Sequence, residues 1–86
     1  FRWGGDEFLA IVTADDFLQL EVCAERCRMR VQENRWTDVE NCPPITISVG
    51  GSLATLTDNV NTLLQRADEQ LFQAKTSGRN RIHVAR

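Results

Sequence analysis

No stretch of about 18 consecutive apolar residues occurs in the chain, which excludes a membrane-spanning helix from this segment. No signal peptide is visible, and the first residue is Phe1 rather than Met, so an amino terminus further upstream is expected, with any membrane segment it carries. Low-complexity tracts and repeats of 20–50 residues are missing as well, which removes disordered and solenoid classes. Histidine occurs once, at His83, with no nearby nucleophile, so a Ser-His-Asp arrangement is excluded and a surface or packing role is expected. The three cysteines, Cys23, Cys27 and Cys42, are an odd number without framework spacing, as expected of a reducing cytoplasm. Cys23 and Cys27 share a helical face but lack further soft ligands, so they read as small buried hydrophobes rather than a zinc site.

What remains is the composition of an ordinary soluble domain, with 42% hydrophobic and 26% charged residues over 86 positions. A chain of that size buries only about 60% of its unfolded surface, so its core is thin. The net charge of −2 argues against a broad nucleic-acid or anionic-membrane surface. Charge is unevenly placed, however. Acids dominate the first half, whereas Lys75, Arg79, Arg81 and Arg86 crowd the end.

Residues 1–3 and 8–13 are apolar and β-prone around Gly4-Gly5-Asp6-Glu7, which predicts a hairpin with a four-residue connection. The second segment is apolar almost throughout, the pattern of a central strand covered on both faces. Asp15 or Asp16 can cap a helix over about 17–33, whose stripe is Leu20, Cys23 or Ala24, Cys27 and Val31. Residues 34–44, with Pro43-Pro44 and Trp36, form a loop, with the indole tucked on the domain edge. Residues 45–50 alternate as a strand. Thr57 or Asp58 can cap a second helix with the stripe Val60, Leu63, Leu64, Ala67, Leu71 and Ala74. Gly78 falls at a left-handed cap, and a strand over 81–84 follows. The order is hairpin, helix, strand, helix, strand, an α+β fold with helices expected on one face of the sheet. Residues 8–13 want a neighbour on each edge, and these elements supply too few; a central strand is missing.

Two clusters carry chemistry. Asp6 and Glu7 lie side by side on a turn whose glycines let a phosphate or ribose approach the backbone, and paired carboxylates suit Mg²⁺. Lys75 and Arg79 flank the end of the second helix and could clasp a polyphosphate, Arg bidentately and Lys as a point charge. Taken alone, the first is a solvated turn and the second a complement to the helix dipole.

Together the clusters change weight. Arg2-Trp3-Gly4-Gly5-Asp6-Glu7-Phe8 resembles the signature of the GGDEF family, the diguanylate cyclases. Thr46-Ile47-Ser48-Val49-Gly50-Gly51 resembles the strand that follows in that family, and 67–81, from Ala67-Asp68-Glu69 to Gly78-Arg79-Asn80-Arg81, resembles its last helix and exit. Phe72 stands where Tyr is usual and Gln70 where Ala is usual.

The resemblance implies that residues 1–86 are the carboxyl-terminal part of one GGDEF domain, a partial nucleotidyl-cyclase or ferredoxin-like fold lacking its first central strand. It implies condensation of two GTP into cyclic di-GMP across two facing subunits, with release of pyrophosphate. Asp6 and Glu7 would bind Mg²⁺ or Mn²⁺, with Asp6 helping to activate the attacking 3′-hydroxyl. Gly4 and Gly5 would lie against GTP, and Lys75 and Arg79 would hold its phosphates. Asp68 reads as helix-to-core structure rather than catalysis.

The family's first-strand metal Asp, its guanine-recognising Asn and Asp, and its Arg-x-x-Asp inhibitory site would all lie upstream of Phe1. The isolated chain is therefore expected to be inactive and to associate through its exposed strand edge. Implied partners are GTP, a second GGDEF subunit and an upstream sensor domain, in the cytoplasm, with no nucleic acid and no direct membrane contact from this segment. The rival reading is a non-catalytic GGDEF module that binds GTP or a partner domain and regulates it.

Overall fold

The chain is described from a computed structural model, which covers residues 2–4, 7–33 and 45–85, the side chains of 2–4 excepted. Six elements run in the order β1 (Arg2–Gly4), β2 (Glu7–Phe8), α1 (Phe17–Glu33), β3 (Val49–Ser52), α2 (Val60–Thr76) and β4 (Ile82–Ala85). The expected loop over 34–44, with Trp36 and Cys42, lies outside the described residues.

β1 and β2 pair antiparallel, Arg2 opposite Phe8 and Gly4 opposite Glu7, with an irregular register between them. β3 and β4 pair in parallel, Val49 with Ile82 through Ser52 with Ala85, and α2 is the crossover between them. The two pairs form separate sheets. The strand expected over 8–13 is therefore mostly not a strand: only Glu7 and Phe8 pair, while Phe8 is 76% and Ile11 92% exposed. A two-stranded ribbon without a third strand or a covering helix is marginal in water, so its apolar continuation finds nothing to join.

Local chemistry explains both helices. Asp16 Oδ1 accepts the Gln19 amide at 2.8 Å, and Gln19 Oε1 accepts the Asp15 amide at 2.8 Å, which fixes the start of α1 at Asp16. α2 starts one residue beyond the expected Thr57 or Asp58. Asn59 is the cap, in a reciprocal box where Asn59 Oδ1 accepts the Thr62 amide at 2.9 Å and Thr62 Oγ1 accepts the Asn59 amide at 3.0 Å. Asp58 is engaged elsewhere: it accepts the Thr55 amide at 2.8 Å and Arg66 Nη2 at 2.7 Å. Arg66 Nη2 also donates to the Leu53 carbonyl at 2.8 Å, so one guanidinium ties the first turns of α2 to the exit of β3.

Packing overturns one expectation. A side chain built on Gly50 would meet α2 backbone, the Leu71 nitrogen at 2.1 Å and the Ala67 oxygen at 2.4 Å, whereas one on Gly51 would meet Leu20 of α1 at 3.7 Å. Successive strand residues point to opposite faces, so α1 and α2 sandwich the β3–β4 sheet rather than sharing one face. Buried hydrophobic residues among those described are Ala74 on α2 and Ala24 on α1. A sheet two strands wide covers only a narrow stripe of α1, so Cys23 is half-buried and Cys27 is exposed, contrary to the expected burial of both thiols. At the other end, β3 begins at Val49 rather than at residue 45, because β4 offers only Ile82–Ala85 to pair with.

Replacing Gly50 by Ala should cost about 3 kcal/mol in a denaturant titration, since the obstructing atoms are backbone and cannot rotate away. Gly51→Ala, with no neighbour nearer than 3.6 Å, should stay close to wild type in the same titration.

The hydrogen bond from Arg66, followed by the one from the Thr55 amide, holds the Asp58 carboxyl far below the usual carboxylate range. A lowered folded-state value means that this stability is present above the unfolded value and drains away as pH falls below about 4. An Asp58→Asn protein should melt lower than wild type at neutral pH and show a shallower loss of Tm on acidification.

Candidate functional site

The carboxyl-terminal half of α2 and the β1–β2 hairpin meet at a small cleft of about 230 Å³ lined by Glu7, Asp68, Leu71, Phe72 and Lys75. Lys75 Nζ lies 3.4 Å from Glu7 Oε1, with the two side chains 32% and 38% exposed. The chain thus brings together two groups that are 68 residues apart and that the sequence placed in separate clusters. A half-exposed, long ion pair of this kind contributes little to stability and is opened at small cost. Lys75 can therefore exchange one acidic partner for another.

Of the predicted residues, Gly4 ends β1 and pairs with Glu7. Gly5 and Asp6 lie outside the described residues. Arg79 follows α2 in a sharp turn in which Gly78, Arg79 and Asn80 all have positive φ, at 135°, 61° and 46°. Gly78 is the residue after the Ser77 cap, where such a backbone was expected, and glycine takes it without a Cβ penalty. The Arg79 amide donates to the Ala74 carbonyl at 2.9 Å, the six-to-one bond of a Schellman ending. The Arg79 side chain is exposed and takes no hydrogen bond or ion pair among the described residues. Its charge is presented to solvent one turn beyond Lys75.

Asp68 departs from its expected role. It is exposed and forms part of the cleft wall, because it lies two helical turns before Lys75 on the same face of α2. That seven-residue spacing was the readable signal; the acidic Asp-Glu run drew it instead toward a structural role. Phe72 is likewise 68% exposed at the cleft rim. His83 is half-buried, with Nε2 3.3 Å from Ser77 Oγ, in keeping with a packing role.

Among the described residues no three His, Cys, Asp or Glu side chains gather into a metal cage. Glu7 nevertheless offers hard carboxylate oxygens at an open position, and Mg²⁺ accepts one or two protein carboxylates when phosphates complete its shell. The donor chemistry fits a shared, substrate-assisted ion rather than a closed structural site. No described helix is long and apolar enough to cross a membrane.

The family model described as "Diguanylate cyclase, GGDEF domain" matches residues 1–81. The chain is 31% identical over 85 residues to diguanylate cyclase DgcM of Escherichia coli K12, covering 99% of this chain and 20% of that protein. It is 33% identical over 85 residues to diguanylate cyclase DosC of the same strain, covering 98% of this chain and 18% of that protein. With response regulator PleD of Caulobacter vibrioides it shares 39% identity over 84 residues, covering 94% of this chain and 18% of PleD. The chain thus spans about a fifth of the length of these relatives. No solved structure matches it.

Proposed function

Because the chain belongs to the GGDEF family, we propose that it supplies the metal-and-phosphate half of a diguanylate cyclase site in its parent protein. The reaction joins two GTP molecules into cyclic di-GMP. The 3′-hydroxyl oxygen of each nucleotide forms a bond to the α-phosphorus of the other, pyrophosphate leaves, and the hydroxyl proton is lost. What carries the reading is the Glu7–Lys75 pair, a carboxylate and an ammonium facing each other at 3.4 Å where the GGDEF turn meets α2.

Each residue then has a physical task. Gly4 and Gly5 admit the nucleotide to the backbone without a Cβ in the way. Asp6 and Glu7 would hold Mg²⁺ or Mn²⁺, which supplies charge neutralisation at the reacting phosphates. Lys75 leaves Glu7 and moves its charge to the phosphates, and Arg79, free of competing partners, meets them through its planar fork. Positioning and charge neutralisation are the main protein contributions to phosphoryl transfer, and both are present in this short list. Each completed site holds one GTP and two must face each other, so the reacting unit is a pair of GGDEF subunits. An upstream sensor or receiver domain that governs their encounter agrees with the name of one relative, a response regulator. The site belongs in the cytoplasm, where GTP is found.

Full-length parent protein, incubated with GTP and Mg²⁺, should produce cyclic di-GMP detectable by chromatography. Glu7→Gln should lower kcat about 100-fold, the scale of a lost electrostatic stabiliser at a reacting charge. Lys75→Ala should raise the KM for GTP about tenfold. The isolated 86 residues should yield no product. Parent protein that binds GTP without turnover would instead make this a regulatory module.

A further inference from the structure

The turn that presents Arg79 is held from an unexpected direction. Two residues with side chains, Arg79 and Asn80, occupy positive φ in succession, at 61° and 46°, a backbone that L-residues adopt rarely and that relaxes unless its surroundings fix it. From within the turn, Arg81 Nε donates to the Arg79 carbonyl at 3.1 Å. From outside, Arg28 on α1 reaches across 52 positions of sequence and its Nη1 donates to Asn80 Oδ1 at 2.9 Å.

Arg28 is itself firmly held. Its Nε donates to Glu25 Oε1 at 2.9 Å, its Nη2 pairs with the same carboxylate, and its Nη1 donates to Gln32 Oε1 at 2.7 Å. The side chain is 15% exposed, so little of its charge is left for solvent or ligand. A guanidinium fork immobilised on one helix and bonded to the residue beside Arg79 is a brace, not a binding group.

We infer that Arg28 is a positioning residue for phosphate binding: through Asn80 it locks the 78–80 turn in the conformation that aims the Arg79 guanidinium at the nucleotide. This rests on the reading of Arg79 as a phosphate ligand. It adds a residue from α1, an element that contributes nothing to the cleft. Without the brace the turn samples other backbone states, and only the fraction in the competent one binds, so apparent affinity falls while chemistry on the bound nucleotide continues.

The test is steady-state kinetics of the full-length protein with GTP, on Arg28→Ala, Asn80→Gly, Arg79→Ala and the paired variants. Asn80→Gly keeps a backbone compatible with positive φ while removing the acceptor of the Arg28 hydrogen bond, so it reports on the brace even if Arg28→Ala fails to fold. Arg28→Ala and Asn80→Gly should each raise KM about tenfold with kcat within about threefold. In the Arg79→Ala background, either should raise KM by no more than about twofold, because the group being aimed is gone. Equal KM effects with and without Arg79, or a lowered Tm with unchanged KM, would overturn the inference. If Arg79→Ala alters KM while Arg28→Ala and Asn80→Gly do not, this inference fails and the phosphate clasp stands. If the wild-type protein neither binds nor turns over GTP, the functional reading fails and takes this inference with it.

Discussion

The rest of the molecule depends on how closely α2 lies on β3. Gly50 leaves the Leu71 amide and the Ala67 carbonyl where a methyl group would otherwise sit. That contact fixes the height and the rotation of α2 over the sheet, and it leaves Ala74 with no exposure at all. Asp68, Phe72 and Lys75 each follow by one residue the positions that face the sheet, Ala67, Leu71 and Ala74, so the contact at Gly50 also sets the geometry of the cleft they line with Leu71. Ser52 reinforces the arrangement, its hydroxyl donating to the Leu63 carbonyl at 2.7 Å. The Asp58–Arg66 pair secures the same helix near its start, and the turn at Gly78 secures it at its end.

How much of this could be read from the sequence differs by element, for physical reasons. The bounds of α1 were legible because a capping carboxylate precedes a sustained apolar period. The start of α2 was legible only to within two residues, since Thr57, Asp58 and Asn59 are all competent caps. What decided among them was the tertiary engagement of Asp58 by Arg66. The placement of the helices on the two faces of the sheet was hidden for a different reason. Alternation reveals facing through side chains, and the two central residues of β3, Gly50 and Gly51, have none.

The candidate site divides in the same way. The hairpin acids and the helix-end cations were visible as local patterns, and their meeting at Glu7 and Lys75 is a tertiary fact that only family resemblance foreshadowed. Asp68 carries a readable seven-residue spacing to Lys75, yet it was expected to face the core and is exposed on the cleft wall. Arg28 carried none: its link to Asn80 spans 52 residues, and nothing about an arginine in a helix of several charges marks it. Residues 8–13 misled in the opposite sense, because an apolar run specifies burial without supplying the partner that provides it.

The two sheets share no strand, so no ladder hydrogen bond ties the hairpin to the parallel pair. The hairpin that carries Glu7 can then open without breaking the ladder between β3 and β4 or displacing their crossover helix. A ligand that touches only the cations draws on a framework already in place. One that spans carboxylate and cation must also hold the hairpin closed, and part of its binding free energy is spent on that ordering. Occupancy of the cleft by such a ligand is thereby coupled to closure of the hairpin.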